Sequence, residues 1–77
     1  MGLTITLDLH GMTIAEAKAA LLRELKTCPK TVLEIEVIHG FRQGQELLKM
    51  VRSFSHPKIK RKILGLNNGS TVLILNT

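Results

Sequence analysis

Polar and apolar residues alternate one by one along LTITLDLH, residues 3 to 10. Leu3, Ile5, Leu7 and Leu9 fall on one side, and Thr4, Thr6, Asp8 and His10 on the other. This is the period-two pattern of a strand with one buried face. Gly11 interrupts it, and from Thr13 the spacing becomes helical. Ile14, Ala17, Leu21 and Leu25, joined by Leu22, form an apolar stripe. Thr13, followed three residues later by Glu16, is a capping-box start. Pro29 marks the end, because proline cannot continue a helix.

The stretch TVLEIEVIHG carries a second strand. Leu33, Ile35 and Val37 share one face, Glu34 and Glu36 the other, and the strand ends in His39-Gly40. After the loop FRQG a second helix is expected from about Gly44 to Phe54, with Leu47, Leu48, Val51 and Phe54 inward. HPKIKRKILG reads as a third strand. Ile59 and Ile63 share a face with Arg61, and Lys58, Lys60 and Lys62 share the opposite one. LNNGS contains an Asn-Gly turn signal, and the nearly all-apolar TVLILN is the last strand.

The order is therefore βαβαββ, a single domain over residues 1 to 77 with no linker or repeat. Half-polar strands imply a sheet with one wet face and both helices on the other. Right-handed crossovers make the first three strands parallel, and the final hairpin makes the fourth antiparallel to the third. A lysine-rich third strand suits an edge, and an apolar fourth strand suits the interior. The expected fold class is an α/β (α+β) two-layer sandwich with a four-stranded mixed sheet in the order 1-2-4-3.

Charge changes the picture. The net charge is +5, and residues 42 to 77 hold seven Lys/Arg against one Asp/Glu, whereas residues 1 to 41 hold four against five. Two readings of this basic half stand side by side: a contact for an anionic partner, nucleic acid first, or a solvated lysine-rich face. The one cysteine, Cys28, has no internal disulfide partner, which points to a reducing cytoplasm. No apolar run approaches the ~20 residues of a membrane span, and the N-terminus has no signal-peptide pattern. No set of cysteines and histidines has zinc-site spacing.

The chemistry concentrates where the first two strands end. Parallel neighbours bring Asp8-Leu9-His10-Gly11 and His39-Gly40 to one edge, where ligands of open α/β sheets bind. Both helix N-termini arrive there and favour phosphate. Arg42 is a fork-shaped phosphate donor in the following loop, and Gly40 and Gly44 permit close backbone approach. Plain alternation places His39 on the buried face and His10 on the wet one, so their convergence depends on how the strands end. Structural readings stand beside the functional ones. Asp8 can accept backbone N–H groups of the turn, His10 and His39 can be satisfied structural histidines, and His56 reads as a loop residue. Phe41 suits either base stacking or the core.

LDLHGMTIAEAKAALLREL resembles the opening of the Smr (small MutS-related) domain, an apolar-Asp-apolar-His-Gly motif that runs into a helix. EIEVIHGFRQGQELLKMV is similar to that family's second motif, a strand entering a glycine-rich turn and a helix. SHPKIKRKILG and NNGSTVLIL match its basic segment and last strand. The resemblance covers nearly the whole chain. It implies a βαβαββ fold similar to the C-terminal domain of a bacterial translation initiation factor. It also implies endonuclease activity, DNA nicking or RNA cleavage, with some members acting on messenger at stalled ribosomes. Asp8, His10 and Gly11 match the first motif, and His39, Gly40 and Gly44 the second. Arg42 stands where the family usually has a further glycine, and Phe41 where many members have a basic residue.

On this basis Asp8 and His10 are the expected catalytic pair, His10 moving protons near neutral pH. Gly11, His39, Gly40, Arg42 and Gly44 are expected to bind phosphate, and Lys58, Lys60, Arg61 and Lys62 to bind nucleic acid. RNA is preferred over DNA. Its 2′-hydroxyl can act as nucleophile with no cofactor, whereas DNA calls for attacking water and a divalent metal at Asp8. The alternatives are a non-catalytic RNA- or ribosome-binding module and a protein–protein adaptor. A cytoplasmic monomer without membrane contact is expected.

Overall fold

The computed structural model of the protein describes residues 3–40, 45–64 and 69–76. Its elements are β1 (Leu3–Asp8), α1 (Ile14–Thr27), β2 (Val32–Ile38), α2 (Glu46–Ser53), β3 (Ile59–Leu64) and β4 (Ser70–Leu75). The strands form one sheet in the order β1-β2-β4-β3. β1 and β2 are parallel, and β4 runs antiparallel to both β2 and β3. The expected topology holds. The most apolar strand, β4, lies inside, while β1 and the lysine-rich β3 take the edges, where cations discourage pairing with other chains. No helix among the described residues is long and apolar enough to cross a membrane.

One face of the sheet carries the core. Ile35 and Val37 of β2 and Leu73 and Leu75 of β4 pack with Leu21 and Leu25 of α1 and Met50 and Val51 of α2. Each fully buried leucine contributes roughly 1.5–3 kcal/mol. The opposite face carries Thr4, Thr6, Glu34, Glu36 and Arg61, interleaved with Ile38, Val72 and Ile74. Leu22 departs from the expected stripe. It is 48% exposed, because it follows the inward Leu21 by one residue, about 100° around the helix. α2 turns Leu48, Met50 and Val51 inward, with Leu47 half-buried. Met50 was not anticipated.

α1 begins as its sequence dictates. The Thr13 hydroxyl accepts the Glu16 N–H at 3.1 Å, and the Glu16 carboxylate accepts the Thr13 N–H at 2.9 Å. Two orphan donors of the first turn are thus satisfied reciprocally. Thr13→Ala is expected to lower the unfolding free energy by about 1 kcal/mol, read by urea denaturation. An unchanged midpoint would mean water replaces the cap without loss.

Two register shifts correct the plain alternation. β2 pairs Leu3 with Val32 and then Thr4 with Glu34, so Leu33 is the extra residue. Val32 takes the core position, and Leu33 is only half-buried. β3 pairs Ile59 with Leu75 and then Arg61 with Ile74, which makes Lys60 a bulge. A bulge flips every residue beyond it relative to simple period two. Ile59 therefore packs on the core side, while Arg61 and Ile63 share the open face with Ile74 and Val72.

The lysines of the third strand do not form a solvated row. Lys58 Nζ donates to the Leu25 carbonyl of α1, and Lys62 Nζ donates to the Arg52 carbonyl of α2 at 2.8 Å. Both acceptors lie in final helical turns, where carbonyls lack intrahelical partners and the helix dipole is negative. For Leu25 the cause is in the sequence: the residue four positions on is Pro29, which has no N–H to give. The Asn-Gly turn expected at 68–69 begins at residues outside those described.

Candidate active site

β1 ends with alternation intact. Leu9 is fully buried, and its N–H continues the ladder by donating to the Ile38 carbonyl at 2.7 Å. That anchor forces its two neighbours, Asp8 and His10, outward onto the wet side. Gly11 then turns the chain with φ +81°, a left-handed conformation that side chains rarely adopt. The Met12 N–H closes the turn on the Leu9 carbonyl at 3.0 Å.

Asp8 and His10 form a dyad. Asp8 Oδ1 accepts the His10 backbone N–H at 3.0 Å and faces His10 Nδ1 at 2.5 Å. The hydrogen bond from the His10 ring, then that from its backbone N–H, holds the Asp8 carboxyl below the usual aspartate range. Asp8 is therefore ionised at neutral pH and accepts only, so Nδ1 must carry the ring proton. In the neutral ring Nε2 is then the basic nitrogen, and no described residue bonds it. The side chains are 70% exposed at His10 and 50% at Asp8, so a substrate reaches them directly.

His39 does not share that surface. It is 3% exposed, on the buried face where alternation placed it. Its Nδ1 donates to the Gly40 carbonyl, and its Nε2 accepts the Thr71 hydroxyl, both at 2.9 Å. A carbonyl can only accept, which fixes this tautomer. The His39 and Gly40 N–H groups both donate to the Gly69 carbonyl, at 2.9 and 3.0 Å. The two imidazoles therefore do not converge, and neither the His39 ring nor these two amides is left over for a phosphate. The two motifs meet through backbone instead. Gly40, at φ +72°, lies so close to His10 that an added Cβ would sit 3.7 Å from the His10 Cβ.

The structure thus brings Asp8, His10, Gly11 and Gly40 to one edge, with His39 beneath them. Phe41, Arg42 and Gly44 lie outside the described residues. Lys58, Lys60, Arg61 and Lys62 sit elsewhere, on and beside β3 at the far edge of the sheet. Sequence reasoning missed Thr71 and Gly69, which clamp the end of β2. One signal was available: Thr71 interrupts an otherwise apolar strand on its inward face, and a buried hydroxyl requires a partner. Among the described residues no three or more His, Cys, Asp or Glu side chains gather to hold a metal. Asp8 and His10 alone, already bonded to each other, do not make one.

The depressed Asp8 carboxyl has a measurable consequence, as does Glu16, whose carboxyl is lowered by the Thr13 N–H and hydroxyl. A carboxyl lowered in the folded state contributes stability that is complete above its unfolded value, about pH 4, and is lost as pH falls through the lower folded value. Urea denaturation at pH 6 and near pH 3 should show this loss. It should be smaller in an Asp8→Asn/Glu16→Gln double variant. An equal loss in both proteins would assign the acid sensitivity to other carboxylates.

A two-layer α+β domain with an exposed Asp–His dyad at the C-terminal ends of parallel strands is a class of small nucleic-acid-processing fold. The chain belongs to the Smr domain family, whose model matches residues 7–70, a family known for nucleic-acid binding and nuclease-related roles. The crystal structure of the Smr domain of Thermus thermophilus MutS2 is similar in fold, with a TM-score of 0.76 at 19% identity, covering 94% of this chain and 98% of that one. Among curated proteins none matches significantly.

Proposed function

We propose that this Smr domain is an endonuclease that cleaves RNA, with Asp8 and His10 as its proton-transfer dyad. The observation that carries this reading is the 2.5 Å contact between Asp8 Oδ1 and His10 Nδ1, which orients an exposed imidazole with Nε2 as its basic nitrogen. Nε2 takes the proton of a 2′-hydroxyl. The 2′-oxygen attacks the adjacent phosphorus, the bond from phosphorus to the 5′-oxygen breaks, and solvent protonates the leaving oxygen. The products are a 2′,3′-cyclic phosphate and a 5′-hydroxyl. Asp8 holds the ring and stabilises the imidazolium as it forms. Arg42 and Gly44, with Gly11 at the entry to α1, are assigned to the phosphate on the motif resemblance. The free thiol of Cys28 suits a reducing, cytoplasmic setting.

A second reading, a non-catalytic RNA- or ribosome-binding module, is favoured by one observation. The His39 and Gly40 amides are spent on Gly69, which removes two donors from those that would stabilise a transition state. Incubation of wild type and His10→Ala with structured RNA and with supercoiled DNA, each with and without EDTA, separates the cases. EDTA-resistant RNA cleavage that needs His10 supports the proposal. EDTA-sensitive DNA nicking replaces RNA by DNA as substrate. Binding without cleavage of either leaves the module.

A further inference from the structure

Lys58 and Lys62 are engaged at helix ends, which leaves Lys60 and Arg61 as the exposed cations of β3. These two line an open groove with Phe54, Ser55, His56 and Lys62. The bulge at Lys60 builds it, since the extra residue places Lys60 and Arg61 together at the start of an edge strand. The groove wall is held rigid. The Ile59 N–H donates to the His56 carbonyl at 2.9 Å, the Asn76 N–H to the Lys58 carbonyl at 2.7 Å, and Asn76 Nδ2 to the Pro57 carbonyl at 2.8 Å. The Lys58 N–H donates to His56 Nδ1 at 3.1 Å, so in the neutral ring Nε2 carries the proton and can donate. Phe54 is half-buried against the core and offers an aromatic surface of the kind on which a base stacks.

The groove is remote from the dyad. Arg61 belongs to the cross-strand row Thr4–Glu34–Ile74–Arg61, and Asp8 to the row Asp8–Ile38–Ser70. The rows are four residues apart on β2, from Glu34 to Ile38, which is about 13 Å along the strands. β1 and β3 are the two edges of the sheet, about 14 Å apart across it. Glu34 and Glu36 occupy the open face between them, so the phosphate-attracting charge is confined to the groove and is not continuous with the dyad.

We propose that this groove is a second nucleic-acid contact, an anchor in which Lys60, Arg61 and His56 hold a phosphodiester several nucleotides from the bond presented to His10. This rests on the nucleic-acid-binding reading but not on cleavage. Pre-organised donors bind without an ordering cost, and an anchor on the same strand raises the local concentration of substrate at the dyad.

The test is fluorescence anisotropy with single-stranded RNA of about 4 and about 16 nucleotides, the range of site sizes of small single-strand binders, over a salt series. Wild type should bind the longer RNA tighter, with a steep salt slope. Lys60→Gln/Arg61→Gln should lose most of that length advantage and reduce the slope by about 2, one per phosphate contact. Lys58→Gln/Lys62→Gln should lower the melting temperature and leave the slope unchanged. If Lys60→Gln/Arg61→Gln keeps the length advantage and the slope, the anchor is wrong while nucleic-acid binding stands. An equal loss of slope in the Lys58/Lys62 pair overturns the division between anchoring and capping lysines. If wild type binds neither RNA at low salt, the nucleic-acid reading fails and takes the anchor with it.

Discussion

His10→Ala is expected to slow RNA cleavage about 10²–10⁴-fold while leaving the fold and the RNA affinity nearly as they are. The size follows from the role: a positioned imidazole supplies proton transfer that solvent replaces poorly. The specificity follows from placement. The His10 side chain is 70% exposed, so its removal opens no core cavity. The backbone N–H of residue 10 still has the Asp8 carboxylate to bond, as it does in the wild type at 3.0 Å. The turn into α1 therefore keeps its geometry, with Gly11 at φ +81° and the Met12 N–H on the Leu9 carbonyl. Asp8→Asn should also slow cleavage, because an amide neither fixes the Nδ1–H tautomer as firmly nor stabilises the imidazolium. Rates are compared at saturating RNA, with anisotropy for affinity and circular dichroism for the fold. Wild-type cleavage by His10→Ala would point to a contaminating nuclease and make the binding-module reading the better one.

His39→Ala is expected to destabilise the domain by roughly 3 kcal/mol, a cavity plus two buried polar groups left without partners. The groups are the Thr71 hydroxyl and the Gly40 carbonyl, each 2.9 Å from the ring. For a chain of this length the whole unfolding free energy is on the order of 4–12 kcal/mol, so the loss is a large share. Thr71→Val should cost less, since it removes one partner and keeps the volume. The double variant His39→Leu/Thr71→Val should recover part of the loss, because an apolar pair leaves less of the network unsatisfied. Denaturant titration of the four proteins reads this coupling directly. Simple additivity of the two single losses would show that the bond between His39 and Thr71 contributes nothing. Any accompanying loss of cleavage would come through Gly40, whose backbone lies against His10.

Much of this was legible in the chain. The alternation of LTITLDLH sent Asp8 and His10 to the same wet face, and the Leu9 between them is the buried anchor. Thr13 and Glu16 wrote their capping box into the sequence, because both partners lie within one helical turn. Lysine in β3 and apolar residues throughout β4 were enough to order the sheet. Alternation also assigned His39 to the buried face, against the wish to gather both histidines at one site.

Other features depended on strands that are distant in sequence. The bulges at Leu33 and Lys60 exist only relative to a partner strand, so no periodicity within β2 or β3 reveals them. The ammonium groups of Lys58 and Lys62 found carbonyls 33 and 10 residues away, and a lysine stem is long enough that its sequence neighbours do not decide where its charge rests. His39 found Thr71 32 residues away, a pairing set by the place of β4 beside β2. Local hydrogen bonding and side-chain period thus determined the elements and the dyad, since both are short-range properties of the chain. Tertiary packing alone decided which histidine is chemical and which structural, and which lysines remain for a partner. Those outcomes turn on burial and on acceptors that only the folded sheet and helix ends provide.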